Sequence, residues 1–287
     1  MFGSFPAVNN LTFGAPSGEC FGLLGVNGAG KTTTFKILTG DTGPSHGNVF
    51  MGQYNIRKNS KYILSRIGYC PQFDAILGVL SGKEMLQLFS RLRGSLNPSE
   101  ETTKWLSKVG LLENANVSCK NYSGGMKRRL STAMALIGDP PLVMLDEPTS
   151  GVDPVARRQF WGVIRSNSDL GQAIILTSHS MDEIDALCSR LAIMVNGQFQ
   201  CFGGVQHIKS KFEIEEKFQP CDLKDRHENL LQYQVYKTDL PWKNLFEILE
   251  NLKSSYAKEI EEYSATETTL DEIFVSFARR QYPVLES

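Results

Sequence analysis

The sequence has no long hydrophobic run, no excess of either charge and no closely spaced cysteine pair, and each absence removes a class of protein. No apolar stretch reaches the roughly 18 residues that a membrane-crossing helix needs, so the chain reads as soluble or peripheral. Its first residues, Met1-Phe2-Gly3-Ser4-Phe5-Pro6, carry neither a basic region nor an apolar core and do not form a secretory leader. The 30 lysines and arginines are balanced by 31 aspartates and glutamates. Nucleic-acid-binding domains usually concentrate positive charge on one face, so no nucleic-acid partner is expected. The 6 cysteines, Cys20, Cys70, Cys119, Cys188, Cys201 and Cys221, include no C-x-x-C spacing. Zinc is therefore not expected, and the thiols read as reduced groups of a cytosolic protein. Internal repeats and low-complexity tracts are also missing.

What is present is an alternation of short apolar runs and amphipathic stretches, in a chain of 287 residues that is 41% hydrophobic. Strands are expected at Glu19–Leu24, Val49–Met51, Arg66–Cys70, Leu142–Leu145, Ala173–Thr177 and Leu191–Val195. That order predicts an α/β domain with a mostly parallel sheet. From about Phe73 to Leu136 the pattern is helical throughout. Ser81-Gly82-Lys83-Glu84 reads as a capping box opening a helix through Arg91, and Asn97-Pro98-Ser99-Glu100 opens another, with Trp105, Leu106 and Val109 on one face. A third helix runs from Ser123 to about Ile137. Residues 213–229 are polar and charged. Beyond them a strand (Leu230–Tyr236), a helix (Trp242–Leu252), a strand (Ile260–Ser264) and a final helix (Thr269–Arg280) form a small α+β domain. The expected division is 1–212 and 213–287, with a helical subdomain at about 73–136.

Gly25-Val26-Asn27-Gly28-Ala29-Gly30-Lys31-Thr32 fits the pattern G-x-x-x-x-G-K-[ST], between an apolar strand and a helical pattern. Glycines let the backbone curl so that successive N–H groups point at phosphate oxygens, and the helix start near Lys31 adds its positive dipole end. Lys31 supplies a point charge for the outer phosphates, and Thr32 a hydroxyl for Mg2+. Leu142-Val143-Met144-Leu145 ends abruptly in Asp146-Glu147. Ligands of open α/β sheets sit at the carboxyl ends of strands, which suits Asp146 to Mg2+ and Glu147 to the role of general base. His179 follows another buried strand and falls at the same edge, as a γ-phosphate contact. His46, His207 and His227 have no such setting. Tyr122-Ser123-Gly124-Gly125-Met126-Lys127-Arg128-Arg129 makes a second phosphate-binding helix start. One chain cannot easily bring both to one nucleotide, whereas two facing chains can. Within this run, Lys127-Arg128-Arg129 reads as the solvated face of a helix, with a coupling contact to a membrane domain as the alternative.

This set resembles the ATP-binding cassette of ABC transporters. Tyr122–Arg129 is similar to the signature motif, Gln72 to the Q-loop glutamine, and Ser150-Gly151-Val152-Asp153 to the D-loop, in the family's order with the phosphate loop, Asp146–Glu147 and His179. The likeness covers roughly residues 2–210. It implies a P-loop (RecA-like) ATPase core with a helical signature subdomain, and a head-to-tail dimer sandwiching two ATP molecules. Each site would take the phosphate loop from one half and Ser123, Gly124 and Gly125 from the other. It further implies nucleotide contacts for Phe2, by stacking on adenine, and for Asn27, Gly28, Gly30, Lys31, Thr32, Thr33 and Asp153. Glu147, His179 and Gln72 would take catalytic roles, and Thr32, Gln72 and Asp146 would surround Mg2+. The runs Gly22–Thr34, Tyr122–Leu130, Thr177–Met181 and Ile260–Phe274 are similar to the A subfamily, whose members move lipids and sterols, and the last resembles the regulatory domain after that subfamily's second cassette.

Departures exist. Met126 replaces a frequent glutamine, 213–229 is short for the family's linker, and the strand expected before Phe2 is missing. The sequence reads as the C-terminal piece of a larger transporter or a truncated product, working with transmembrane domains at the cytosolic face of a membrane. A non-hydrolysing nucleotide-binding or interaction fragment is the alternative. A chromosome- or ribosome-type ATPase is a third reading, disfavoured because only Phe73–Tyr122, without heptads, separates Gln72 from the signature.

Overall fold

The computed structural model describes residues 6–73, 75–205 and 208, together with the backbone of 222–227 and 230–234. The chain divides after Val205 into two units. Phe2, helix Trp242–Leu252, strand Ile260–Ser264 and helix Thr269–Arg280 lie outside the described residues.

In the first unit, β1 (Cys20–Leu24) is buried at every position. A run of that kind is what a strand covered on both faces requires. It pairs in parallel with β6 (Ala173–Ser178) on one side and β7 (Arg190–Val195) on the other. β6 continues to β5 (Leu142–Asp146) and then β4 (Ile67–Cys70), again in parallel. β8 (Gln198–Gly204) closes the opposite edge antiparallel to β7, giving the order β4-β5-β6-β1-β7-β8. The strands expected from the apolar runs are present with ends shifted by a residue. The run at Val49–Met51 contributes β2 (Phe50–Met51), which pairs with β3 (Tyr54–Asn55) in a separate hairpin.

β8 was not expected, because Gln198-Phe199-Gln200-Cys201-Phe202 contains no β-branched residue. Its cue is the turn before it. Asn196 and Gly197 have φ 48 and 76, the two positive values that a type I′ hairpin turn needs. Phe199 and Phe202 then join Phe13 and Phe21 in a ring cluster, with Phe13 stacked on Phe21 at 5.1 Å.

The helical region forms as its sequence predicts. α1 (Lys31–Leu38) follows β1, and α2 (Ser60–Leu64) precedes β4. α3 (Gly82–Leu92) opens on a reciprocal capping box: Ser81 Oγ accepts from Glu84 N at 3.3 Å, and Glu84 Oε2 accepts from Ser81 N at 2.8 Å. α4 (Pro98–Lys108) starts with proline in its first turn, while Asn97 makes no side-chain cap. Trp105, Leu106 and Val109 are buried, and α4 packs on α3 and α5 (Gly124–Leu136). α5 in turn packs on β4 and β5, whereas α7 (Met181–Leu187) covers β1 and β6 beside α6 (Pro154–Asp169).

One expectation about α5 is corrected. Lys127-Arg128-Arg129 is not a solvated face: Arg128 is 3% exposed. Its guanidinium donates to the carbonyls of Glu147 (3.0 Å), Pro71 (2.5 Å), Gln72 (3.3 Å) and Asp146. A buried cation is tolerable when every donor finds an acceptor, and two strand ends supply them here. Arg129 is half-buried and donates to Val109 and Gly110 oxygens at 2.9 and 3.3 Å.

In the second unit, β9 (Asp222–His227) pairs antiparallel with β10 (Leu230–Gln234). β10 was expected. β9 lies in the stretch read as polar and charged, because Leu223 is its one apolar residue and strand propensity therefore gives no signal.

Candidate active site

The adjacency of β4, β5, β6 and β1 brings four loops to one edge of the sheet. Because these strands run parallel, Gln72, Asp146–Glu147, His179 and the phosphate loop all follow carboxyl ends.

The loop after β1 turns through Gly28 (φ 81) and Gly30 (φ 107). Gly30 admits no side chain, since an added Cβ would lie 2.5 Å from Ala7 O and 2.7 Å from Met194 Cε. The turn delivers Lys31 as the first residue of α1, only 6% exposed. Its Nζ donates to Gly25 O at 2.5 Å and Val26 O at 3.2 Å. Burial pushes its pKa down, and the nearby Glu147 and Asp146 carboxylates oppose that fall. Asn27 and Gly28 are exposed on the loop, and Thr32 and Thr33 are half-buried in the first turn of α1.

At the end of β5, Asp146 is 1% exposed. Its Oδ1 accepts from Thr177 Oγ1 at 2.5 Å, while Oδ2 is buried without a hydrogen-bond partner. Burial raises the Asp146 pKa; the Thr177 bond opposes that rise. Glu147 has φ 51, a conformation uncommon outside glycine. Thr177 holds it there, since Glu147 N donates to Thr177 Oγ1 at 3.0 Å and lies 3.2 Å from Thr177 O. One hydroxyl on β6 thus fixes both acids. Glu147 Oε2 stands 3.6 Å from His179 Nδ1, with the histidine 63% and the glutamate 11% exposed at the side chain. On β4, Tyr69 has its pKa pushed up to about 12, first by burial and then by the Asp146 charge.

Gln72 is exposed two residues beyond β4, and its carbonyl is held by Arg128. Ser123 caps α5, with Oγ accepting from Met126 N at 3.2 Å, and together with Gly124 it is exposed. Gly125 lies against the next loop: a Cβ there would sit 3.1 Å from Gly151 O. Asp153 caps α6, its Oδ1 accepting from Ala156 N at 2.9 Å. The structure therefore groups Lys31, Asp146, Glu147 and His179 directly. It sets Ser123–Gly125 on another helix, whose Arg128 braces the carbonyls of the acidic pair. Sequence reasoning missed Thr177 and Arg128. A threonine within an otherwise aliphatic strand, directly before Ser178-His179, was the available signal for the first.

This fold and this edge define a P-loop nucleotide-binding domain. Residues 8–150 match the ABC transporter family model, and residues 203–267 match the ABCA1-like, C-terminal R1 regulatory domain. The chain is 49% identical over 308 aligned residues to the human retinal-specific phospholipid-transporting ATPase ABCA4, covering 97% of this chain and 13% of that protein. It is 44% identical to the human phospholipid-transporting ATPase ABCA3, covering 98% of this chain and 18% of that one. Among solved structures, an ATP-binding subunit of an ABC transporter superposes with TM-score 0.67 at 26% identity, over 74% of this chain and 89% of that one. A dimeric cassette in a post-hydrolysis state, bound to ADP and Pi, shares the fold with TM-score 0.65 at 21% identity, over 70% and 91% of the two chains. The chain belongs to the A subfamily of ABC transporters, as a nucleotide-binding domain followed by sequence of the R1 regulatory type. It spans under a fifth of the length of these curated relatives.

Proposed function

We propose that this chain binds Mg-ATP and hydrolyses it as one half of a head-to-tail pair of cassettes, powering lipid movement by membrane domains at whose cytosolic side it works. The observation carrying this reading is the convergence of Lys31, Asp146, Glu147 and His179 at one sheet edge while Ser123 and Gly124 lie exposed at the start of a different helix. That division suits a site completed by a second cassette. The phospholipid-transporting relatives support the choice of cargo. No helix among the described residues is long and apolar enough to cross a membrane, so the membrane domains would lie outside them. We read 213–287 as the regulatory domain and 1–212 as the cassette, with the helical subdomain at 73–136.

The residues present fit a Mg2+ ion. Asp146 Oδ2 is an orphaned buried acceptor, and Thr32 offers a hydroxyl in the first turn of α1, with Gln72 beyond β4 as a further oxygen. Bound there, the ion would neutralise charge between the outer phosphates. The rest falls to the chain. Backbone N–H groups of the Asn27–Gly30 turn and the α1 dipole receive phosphate oxygens. Lys31 Nζ exchanges its bonds to Gly25 and Val26 oxygens for phosphate. Glu147 accepts the proton of the attacking water, and His179, 3.6 Å from that carboxylate, contacts the γ-phosphate. The signature N-terminus of the opposing chain closes the site. Such catalysis is positioning and charge stabilisation.

The test is Mg2+-dependent phosphate release by the purified chain beside Lys31→Ala and Glu147→Gln. Release that both substitutions abolish, with Glu147→Gln still binding ATP and accumulating a dimer, is the expected result. Normal turnover by Glu147→Gln would remove that residue as the base. ATP binding without release in the wild type would leave the non-hydrolysing reading standing for the isolated chain.

A further inference from the structure

Glu183 on α7 is 2% exposed and takes no part in the chemistry above. Its Oε2 accepts from Ser178 Oγ at 2.7 Å, and Ser178 Oγ accepts from Ser180 N at 2.9 Å. These two bonds flank His179 on both sides in sequence. Burial raises the pKa of this carboxyl group, while the Thr149 hydroxyl and the Arg157 guanidinium of α6 favour its charged form. Arg157 donates to Val152 O at 3.3 Å, and Gly151 and Val152 lie against Gly125 at the start of α5. The Trp161 indole nitrogen stands beside the carboxyl group without closing a hydrogen bond. Glu183 Oε1, Trp161 Nε1 and Arg157 Nε are all buried without partners.

A polar cluster of this kind is expensive in an apolar core, and well-packed apolar residues often replace one without loss of stability. Stability alone therefore does not account for it. Its connections do, since Glu183 is bonded to Ser178, whose hydroxyl in turn holds the Ser180 amide on the far side of His179.

We propose that Glu183 is a positioning residue that ties the His179 loop, through Ser178, to α7. The histidine then keeps its register with the Glu147 carboxylate 3.6 Å away. Glu183 touches no nucleotide and acts through Ser178. This inference rests on the hydrolytic reading above.

The experiment uses the whole 287-residue chain with Glu183→Ala, Glu183→Gln, Ser178→Ala and the double substitution Ser178→Ala/Glu183→Ala. Steady-state phosphate release is read together with hydrogen–deuterium exchange at Ser180. Glu183→Ala and Ser178→Ala should each lower kcat about tenfold, the scale of loss from slightly misplaced catalytic groups, while KM for ATP stays within about twofold. The double substitution should be no worse than either single one, because both break the same bridge. Glu183→Gln should recover most of the rate, since its amide oxygen still accepts from Ser178. The Ser180 amide should exchange faster in both alanine variants, while amides of α1 keep their wild-type rates. Additive losses, an unchanged kcat or unchanged Ser180 exchange overturn the proposal. If Glu183→Ala does not fold, Ser178→Ala decides by the same two readouts. If the wild type releases no phosphate above Lys31→Ala, the hydrolytic reading has failed, and the exchange rates still decide whether the bridge exists.

Discussion

Replacing Arg128 with methionine gives the sharpest test of how the site is built. The side chain is 3% exposed and donates to four carbonyls at the ends of β4 and β5. A hydrogen bond to a charged group contributes about 1.5–3 kcal/mol, but four bonds sharing one group do not add. Methionine also recovers some apolar packing. Breaking a buried charged network by removing one member costs about 3–5 kcal/mol, and that range is the expectation here. Against a net stability of about 5–15 kcal/mol, the loss is large. It corresponds to a fall in Tm of roughly 10 °C for a unit of this size. Urea unfolding followed by tryptophan fluorescence checks it: the midpoint should drop while the slope stays constant. Arg128→Lys should recover only part, because an ammonium lacks the planar fork that reaches two strand ends. Nucleotide affinity should weaken with stability, since the same carbonyls position Asp146 and Glu147. If Arg128→Met unfolds within about 1 kcal/mol of the wild type, the guanidinium does not brace the strand ends and the reasoning is wrong.

Three further outcomes are expected. Gly30→Ala should cost at least about 1–3 kcal/mol and abolish ATP binding, because φ is 107 and the new methyl meets Ala7 O; thermal unfolding and equilibrium binding measure both effects. Thr177→Val, which keeps the shape and removes the hydroxyl, should lower kcat more than it raises KM, and Thr177→Ser should restore it; equal rates in all three proteins would show that the Thr177 bonds to Asp146 and Glu147 are dispensable. Tyr69 holds its proton to about 12 in the folded chain against 10.0 when unfolded. The native state therefore binds more protons than the unfolded one between those values, and its stability falls as pH rises through that window. Tyr69→Phe should flatten this alkaline slope in denaturant titrations, leaving stability below pH 10 little changed.

Much of this was legible in the residues. The apolar runs located five of the six strands of the main sheet because each is short, buried and bounded by turn residues. The capping box at Ser81–Glu84 and the proline at 98 placed two helix starts within a residue. The grouping of Lys31, Asp146, Glu147 and His179 was legible because strand ends in a parallel sheet share one edge. What escaped depends on partners remote in sequence. Arg128 looks like part of a solvated charge run until the carbonyls of Pro71 and Asp146 come to it. Thr177 looks like a strand residue until its hydroxyl meets the neighbouring strand's acids. β8 escaped because it has no β-branched residue, although Asn196-Gly197 announced the turn, and its pairing with β7 and the ring cluster with Phe13 and Phe21 hold it.

The backbone of Glu147 has an evolutionary consequence. At φ 51 a glutamate is held where glycine would rest without strain, a difference of about 1–2 kcal/mol. The side chain proposed as the general base is thus the one the local fold would most readily give up. Glu147→Gly relaxes the main chain while removing the base, so a lineage released from selection for turnover has a downhill path at this position. A cassette that has lost hydrolysis this way should melt higher than its active ancestor. Loss of activity at this site and gain of thermal resistance are then expected in the same descendant.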